Sequence, residues 1–248
     1  MSTLIQSELG PLARKLQLWK ALEPPELEAV LRLPCTTAAI RPSQYIVREG
    51  DIAKHSCLLL SGFAFRQKLA GDGERSICAI HMKGDMVDLQ NSLLGHADHS
   101  VQALNEARVA FIPREDIVGL ALAWPQVGLA MWHDTLVDAS IFREWVLNIS
   151  RRDALTRIAH ILCEFGMRLE AIGLGTRHSY VFPMTQEQLA DATGLTSVHV
   201  NRMLMELARR GLIEREFRQV RVADWDALRR AGDFDESYLH LDRAGVEQ

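Results

Sequence analysis

Thr185 and Gln188 stand three residues apart, the spacing of a capping box, in which a hydroxyl and an amide oxygen accept the first free N–H groups of a helix. Leu189 and Ala190 then face inward, and Gly194 supplies the backbone freedom for a tight turn. Thr196 can cap a second helix, whose Val200, Leu204 and Leu207 form the buried side. The exposed start of that helix carries Ser197, Val198, His199, Asn201 and Arg202, residue types that can meet base edges or phosphates in a major groove. Gly211-Leu212-Ile213 leads into residues 214–222, a two-stranded wing with basic residues near its tip, Arg218 among them. Any helical hairpin matches part of this pattern. The full series of cap, Gly turn, polar helix start and basic wing predicts a winged helix-turn-helix, preceded by a short strand over Tyr180–Met184.

Other elements must hold such a reading head in place. Asp153 to Ile172 reads as a helix with Ile158, Ile161, Leu162, Phe165 and Leu169 on one side. Before it, a long helical stretch follows Pro125, a residue suited to a first turn. In this stretch Gly128, Trp132, Thr135, Ala139, Phe142, Val146 and Ile149 recur at alternating steps of four and three, an a/d seam of about three heptads. A second stripe, Leu129, Leu136, Ala139 and Val146, is available to pack on the helix's own domain. The expectation is therefore a helix shared between two subunits, with Trp132, Thr135, Ala139, Phe142, Val146 and Ile149 at the dimer interface. From Thr36 to Pro113 the sequence falls into short β-prone runs (Tyr45–Val47, Cys57–Leu60, Arg75–Met82, Val109–Ile112) separated by Gly-containing turns, the pattern of a small β-barrel or roll.

Charge follows the same division. The whole chain of 248 residues has a formal net charge of −4. Residues 1–149 carry 14 Lys/Arg against 17 Asp/Glu, residues 150–222 carry 11 against 8, and residues 223–248 carry 3 against 7. Only the middle block is basic, as a phosphate-facing surface or a solvated face can be. No apolar run approaches the roughly 18 residues that cross a bilayer, and the start Met1–Gln6 lacks the basic-then-apolar order of a signal peptide. The expected location is the cytoplasm, without a membrane partner.

These motifs, over nearly the full length, resemble the Crp/Fnr family of bacterial transcription regulators. In the N-terminal half the resemblance rests on Glu49-Gly50-Asp51, Leu58-Leu59-Leu60-Ser61-Gly62 and Gly84-Asp85; in the C-terminal half it rests on Asp153 to Ala159 and the helix-turn-helix. It implies an α+β chain with three parts: a cyclic-nucleotide-binding-type β-roll over residues 1–123, a long dimerisation helix over 124–152, and a winged helix-turn-helix with a C-terminal extension over 153–248. The implied function is that of a homodimeric regulator of transcription, not an enzyme, that binds a two-fold symmetric site on double-stranded DNA. RNA polymerase is the implied protein partner, and the roll is the implied place for a small-molecule effector of unspecified chemistry.

Departures from the family pattern are equally informative. Members that bind cyclic AMP hold its phosphate with an Arg-Ser pair, whereas this chain has His99-Ser100 with Asp98 beside them, so the phosphate would lose a permanently charged bidentate partner. The possible effector pocket is Gly84, Asp85, His99, Ser100, Phe142 and Arg143, the last two replacing small hydroxyl residues on the long helix. Residues 1–34 contain no cysteine, which excludes the family's iron–sulfur mechanism; no cofactor and no metal site are expected. On the recognition helix Val198 replaces a cytosine-reading glutamate and would favour a thymine methyl, while Arg202 holds the place of the family's guanine-reading arginine. Thr185, Thr196 and His199 fall at positions that touch the DNA backbone in relatives, and Arg218 would do so from the wing.

Two rivals come from other classes. A metal-dependent β-barrel enzyme could use His81, His96 and His99 with Asp85 or Asp88, and a nucleotide-binding regulatory subunit would work without DNA. Cys35, Cys57, Cys78 and Cys163 lie far apart and read as reduced, structural residues, with Cys163 the best placed if one of them senses thiol oxidation. In the tail, Trp225, Leu228, Phe234, Tyr238 and Leu241 predict a helix begun by Asp224 that folds back on the DNA-binding domain, with disorder confined to the last few residues.

Overall fold

The computed structural model describes residues 7–241, so the expected disorder of the last residues lies outside the described part. Two compact units emerge: residues 7–68 with 79–139, and residues 69–78 with 140–241.

In the N-terminal half, α1 (Gly10–Trp19) and α2 (Pro24–Leu31) precede the strands β1 (Thr36–Ile40), β2 (Tyr45–Val47), β3 (His55–Ser61), β4 (Ala64–Leu69) and β5 (Arg75–His81), of which residues 69 and 75–78 are assigned to the second unit. A single-turn helix α3 (Asn91–Leu94), then β6 (Ser100–Ala103), β7 (Ala107–Pro113) and α4 (Arg114–Ala123) follow. The strands pair antiparallel in the orders β1-β7-β3 and β2-β6-β4-β5. This is the β-roll. Along β3, Leu58 and Leu60 enter a core shared with Leu12, Leu16, Ile112 and Val127, whereas Cys57 and Leu59 enter a second core with Ala64, Val101 and Val109. Both faces of β3 are covered, which is why its sequence is a continuous apolar run rather than an alternating one.

Helix α5 (Pro125–Arg151) runs for 27 residues, about 40 Å at 1.5 Å per residue. Its buried face is Val127, Ala130, Met131, Val137, Ile141, Trp145 and Asn148. The second stripe available for internal packing, Leu129, Leu136, Ala139 and Val146, is not used for it: its three larger members are among the exposed apolar residues and Ala139 is only half-buried. At 3.6 residues per turn the buried residues already form one continuous face that ends at Trp145 and Asn148, leaving the Leu129 stripe on the other side.

The second unit is built on α6 (Ala154–Ala171), capped by Asp153, whose carboxylate accepts the Thr156 N–H at 2.9 Å. All five residues expected on its inner side are buried. Strand β8 covers Ser179–Val181 only. The expected strand to Met184 stops early because Pro183 has no N–H to pair, although Phe182, Pro183 and Met184 remain buried. Helices α7 (Gln186–Thr193) and α8 (Ser197–Arg209) pack on α6, and β9 (Ile213–Glu216) and β10 (Gln219–Val222) complete a sheet of order β8-β10-β9. Asp224 caps α9 (Trp225–Ala231), and a 3-10 turn at Glu236–Leu239 ends the fold. Cys163, the candidate thiol sensor, is fully buried on α6, and burial drives its thiol pKa up, against thiolate chemistry.

The C-terminal extension folds back as expected. Gly232 approaches α6 so closely that a Cβ there would lie 2.8 Å from the His160 backbone nitrogen. The His160 ring stacks on Tyr238 and meets the edge of Phe234, while its Nδ1 faces the Gly232 carbonyl at 3.1 Å. A carbonyl can only accept, so Nδ1 carries the proton and Nε2 in the neutral ring is an acceptor. The Tyr238 hydroxyl lies 3.0 Å from His160 Nε2 and 3.0 Å from Glu164 Oε2, and Trp145 Nε1 donates to the same carboxyl oxygen at 2.9 Å. The end of α5, the middle of α6 and the extension are thereby joined in one buried polar network.

Candidate nucleic-acid interface

The two helix starts are fixed by local hydrogen bonds. Thr185 Oγ1 accepts the Gln188 N–H at 3.1 Å and Gln188 Oε1 accepts the Thr185 N–H at 2.9 Å, closing the capping box. Helix α7 ends at Gly194, whose φ of 65° lies in the left-handed region that favours glycine. Two residues later Thr196 Oγ1 accepts the His199 N–H at 3.2 Å and starts α8. Both threonine hydroxyls accept in these caps, which leaves each O–H proton available to a phosphate.

Helix α8 buries Val200, Leu204 and Leu207 and turns the opposite face outward. Val198 is 79% exposed and Met205 65% exposed, with Asn201 and Arg202 exposed between them, a single stripe at steps of three and four residues. Ser197 is exposed at the helix start and His199 is half-buried beside it. Two members of this surface were not singled out in the sequence. Gln186 donates from Nε2 to Asn201 Oδ1 at 3.0 Å and so brings the start of α7 onto the same surface. Met205 continues the stripe one turn beyond Arg202, at a spacing visible in the sequence.

Charge on α8 is unevenly committed. Arg209 and Arg210 both pair with Glu206, at 2.7 and 2.8 Å, and their hydrogen bonds hold its carboxyl pKa down to about 2. Arg202 is exposed and has no ion pair among the described residues; the same holds for Arg218 on the wing. The wing's strands pair Glu216 with Gln219, leaving Phe217 and Arg218 as a two-residue turn.

On α5, Trp132, Phe142, Val146 and Ile149 are exposed apolar residues, while Thr135 and Ala139 are half-buried. In the roll, Asp85 is buried, held by Lys15 at 2.8 Å and by the Met82 N–H at 2.9 Å, next to Gly84. Ser100 Oγ accepts the Glu49 N–H at 3.0 Å. His99 is buried with Nδ1 2.6 Å from Asp98, and its Nε2 has no hydrogen-bond partner; burial and the nearby Arg66 lower its pKa. Phe142 and Arg143 are exposed on α5. Sequence reasoning missed a pair within this unit: Arg66 donates to Asp138 at 2.6 Å and to the Val87 carbonyl at 3.1 Å. Its signal was a charged residue two positions from the inward-facing Ala64.

As for the metal reading, His81 and Asp85 are buried 3.9 Å apart, and His96 is exposed. Among the described residues no three His, Cys, Asp or Glu side chains gather as metal ligands. Nor is any described helix long and apolar enough to cross a membrane.

Residues 38–122 match the family described as cyclic nucleotide-binding domain, and residues 156–231 match the Crp-like helix-turn-helix domain. The chain is 26% identical over 220 residues to the nitrogen fixation regulation protein FixK of Azorhizobium caulinodans, covering 88% of this chain and 87% of that protein. It is 27% identical over 195 residues to the transcriptional activator protein FnrL of Cereibacter sphaeroides, covering 77% and 78%. Among solved structures, FixK2 from Bradyrhizobium japonicum superposes with a TM-score of 0.73 at 24% identity, over 80% of this chain and 98% of that one.

Proposed function

Since the chain belongs to the Crp/Fnr family of transcription regulators, with a helix-turn-helix DNA-binding domain, we propose that it binds a two-fold symmetric DNA site as a homodimer under the control of something other than cyclic AMP. In this reading residues 1–123 form the sensing roll, 124–152 the dimerisation helix and 153–248 the DNA-binding domain with its extension. The protein is a cytoplasmic regulator and not an enzyme, and RNA polymerase is its protein partner.

The observation that carries the DNA reading is the outer stripe of α8, where Arg202 is an exposed guanidinium that no carboxylate among the described residues neutralises. An arginine one turn into a recognition helix can donate two parallel hydrogen bonds to guanine O6 and N7, worth about 1–3 kcal/mol of discrimination. Val198 has no acceptor and suits a thymine methyl. Thr185, Thr196, Ser197, His199, Asn201 and Arg218 hold the frame through phosphates and neighbouring bases.

Dimerisation is supported by the apolar stripe of α5, where Trp132 at 62% and Phe142 at 47% exposure are unusual on a solvated helix. Independence from cyclic AMP is supported by His99. Its Nδ1 donates to Asp98, so the unpartnered Nε2 presents a lone pair, which repels a phosphate oxygen instead of binding it. Arg66, a cation in the same roll, is already committed to Asp138.

The test is site selection on random DNA, followed by binding of Arg202→Ala and Arg218→Ala to the selected site and its single-base variants at several salt concentrations. Arg202→Ala is expected to lose preference at one guanine per half-site. Arg218→Ala is expected to weaken all sequences equally and to lower the salt slope by about one for each phosphate no longer neutralised. Full retention of the guanine preference by Arg202→Ala refutes the assignment of α8 to the major groove.

A further inference from the structure

Phe217 is the most exposed large apolar residue among the described ones, at 93%. Its φ of 53° is in the left-handed region, where a side chain with a Cβ is disfavoured. Two-residue hairpin turns with such a residue select Gly, Asn or Asp. Here an aromatic occupies the position and packs on nothing in its own unit, so the strained turn has no return in folding. Strain of that kind, with the side chain turned to solvent, is a mark of a contact made elsewhere.

The surroundings say what that contact is. The Arg215 guanidinium reaches the Phe217 carbonyl at 3.5 Å, and Arg218 is the next residue in the turn. The aromatic thus stands in a turn that also carries two arginines, a composition that suits a polyanion with apolar edges. The hairpin is also tied to the recognition helix: the Leu212 N–H donates to Leu207 at the end of α8, and the Ala223 N–H donates to Leu212. These bonds fix the base of the hairpin to the end of α8, so the wing that carries Phe217 starts from the recognition helix.

Resting on the DNA-binding reading above, we propose that Phe217 is an apolar wedge that the wing places in the minor groove flanking each half-site. There it contacts the sugar edges and partly unstacks one base step, while Arg215 and Arg218 meet the phosphates on either side. Apolar side chains flanked by arginine act in this way in minor-groove binders, and flexible pyrimidine–purine steps yield most easily. Phe217 would therefore add a preference for a flexible step outside the bases that α8 reads.

The experiment uses the full chain and two variants that fit the turn better than phenylalanine, Phe217→Gly and Phe217→Asn. DNA affinity is measured by fluorescence anisotropy on the selected site, 2-aminopurine at the flanking step reports unstacking, and thermal unfolding checks the fold. Both variants are expected to melt at or above the wild-type temperature, to bind about tenfold more weakly, and to lose the 2-aminopurine signal while keeping the guanine preference read by Arg202. Wild-type affinity in both variants overturns the wedge and leaves the α8 reading standing. Unchanged affinity with loss of promoter activation moves Phe217 to a protein contact and also overturns it. Failure of the wild-type protein to bind any selected DNA overturns both readings together.

Discussion

Lowering the pH from 7 to 5 perturbs a buried imidazole whose surroundings are fully defined. His160 lies shielded on α6 against Gly232, Phe234 and Tyr238, with Glu144 3.8 Å from Nε2 and Arg152 bound to Glu144 at 2.7 Å. Burial, with the Arg152 charge adding to it, lowers the His160 pKa to about 4. In the unfolded chain the ring takes a proton as pH falls through about 6.5, whereas the folded ring does not until about 4. Its contribution to stability is therefore complete above about 6.5 and is lost as pH falls toward 4. At ~1.4 kcal/mol per pH unit the loss is ~2 kcal/mol by pH 5 and ~3 kcal/mol in full. Burial raises the pKa of Glu164, the neighbour across Tyr238, and its titration works in the opposite direction, so the His160 effect must be read as a difference. His160→Asn keeps a donor for the Gly232 carbonyl but cannot titrate. Urea unfolding of both proteins, followed by hydrogen exchange at the α6 amides, is expected to show wild type losing ~2 kcal/mol more than the variant between pH 7 and pH 5. Equal losses in the two proteins would refute a neutral, buried His160.

Three further perturbations follow from particular side chains. Phe142→Asp is expected to give a monomer in sedimentation at micromolar concentration, since it sets a charge in the middle of the exposed α5 stripe; a monomeric wild type refutes the shared helix. Gly232→Ala places a Cβ 2.8 Å from the His160 nitrogen and 2.9 Å from the Ala159 carbonyl carbon, so the extension must lift; a loss of about 1–3 kcal/mol in urea unfolding is expected. Thr185→Ala removes one half of a capping box and is expected to cost about 1 kcal/mol, with weaker DNA binding at every sequence and an unaltered guanine preference in the same titrations.

What the sequence made legible was whatever is decided within a few residues. The capping box at Thr185 and the caps at Thr196 and Asp224 each depend on a side chain reaching a backbone group three positions away, and the left-handed turn at Gly194 depends on a residue without a Cβ, so type and spacing suffice. The β-roll was readable for a similar reason, since its turns carry glycine at the required places. Long-range partners were not legible. Nothing local says that Arg66 meets Asp138, 72 positions later, or that Tyr238 lies between His160 and Glu164. Periodicity showed that α5 had more apolar surface than one face can use, but not which stripe would be buried: Val127 and Met131 enter the core of the first unit, and Ile141 and Trp145 are buried in the second.

The +3 charge of residues 150–222, 11 cations against 8 anions, illustrates the difference between composition and site. Five of its arginines are already matched: Arg152 by Glu144, Arg168 by Glu164, Arg177 by Glu170, and Arg209 and Arg210 by Glu206. Arg157 is held by the Arg152 and Thr193 carbonyls. A paired guanidinium must give up its carboxylate before it can neutralise a phosphate, so the matched residues add little to DNA affinity. Arg202, Arg215, Arg218 and Arg221 carry no ion pair among the described residues, and they lie on the outer stripe of α8 and on the wing. Apart from Arg151 at the end of α5, the cations that remain available are thus confined to the two elements that would touch DNA. In the proposed reading such a regulator binds non-specific DNA weakly, with a salt slope set by a handful of wing contacts, and leaves discrimination to Arg202 and Val198.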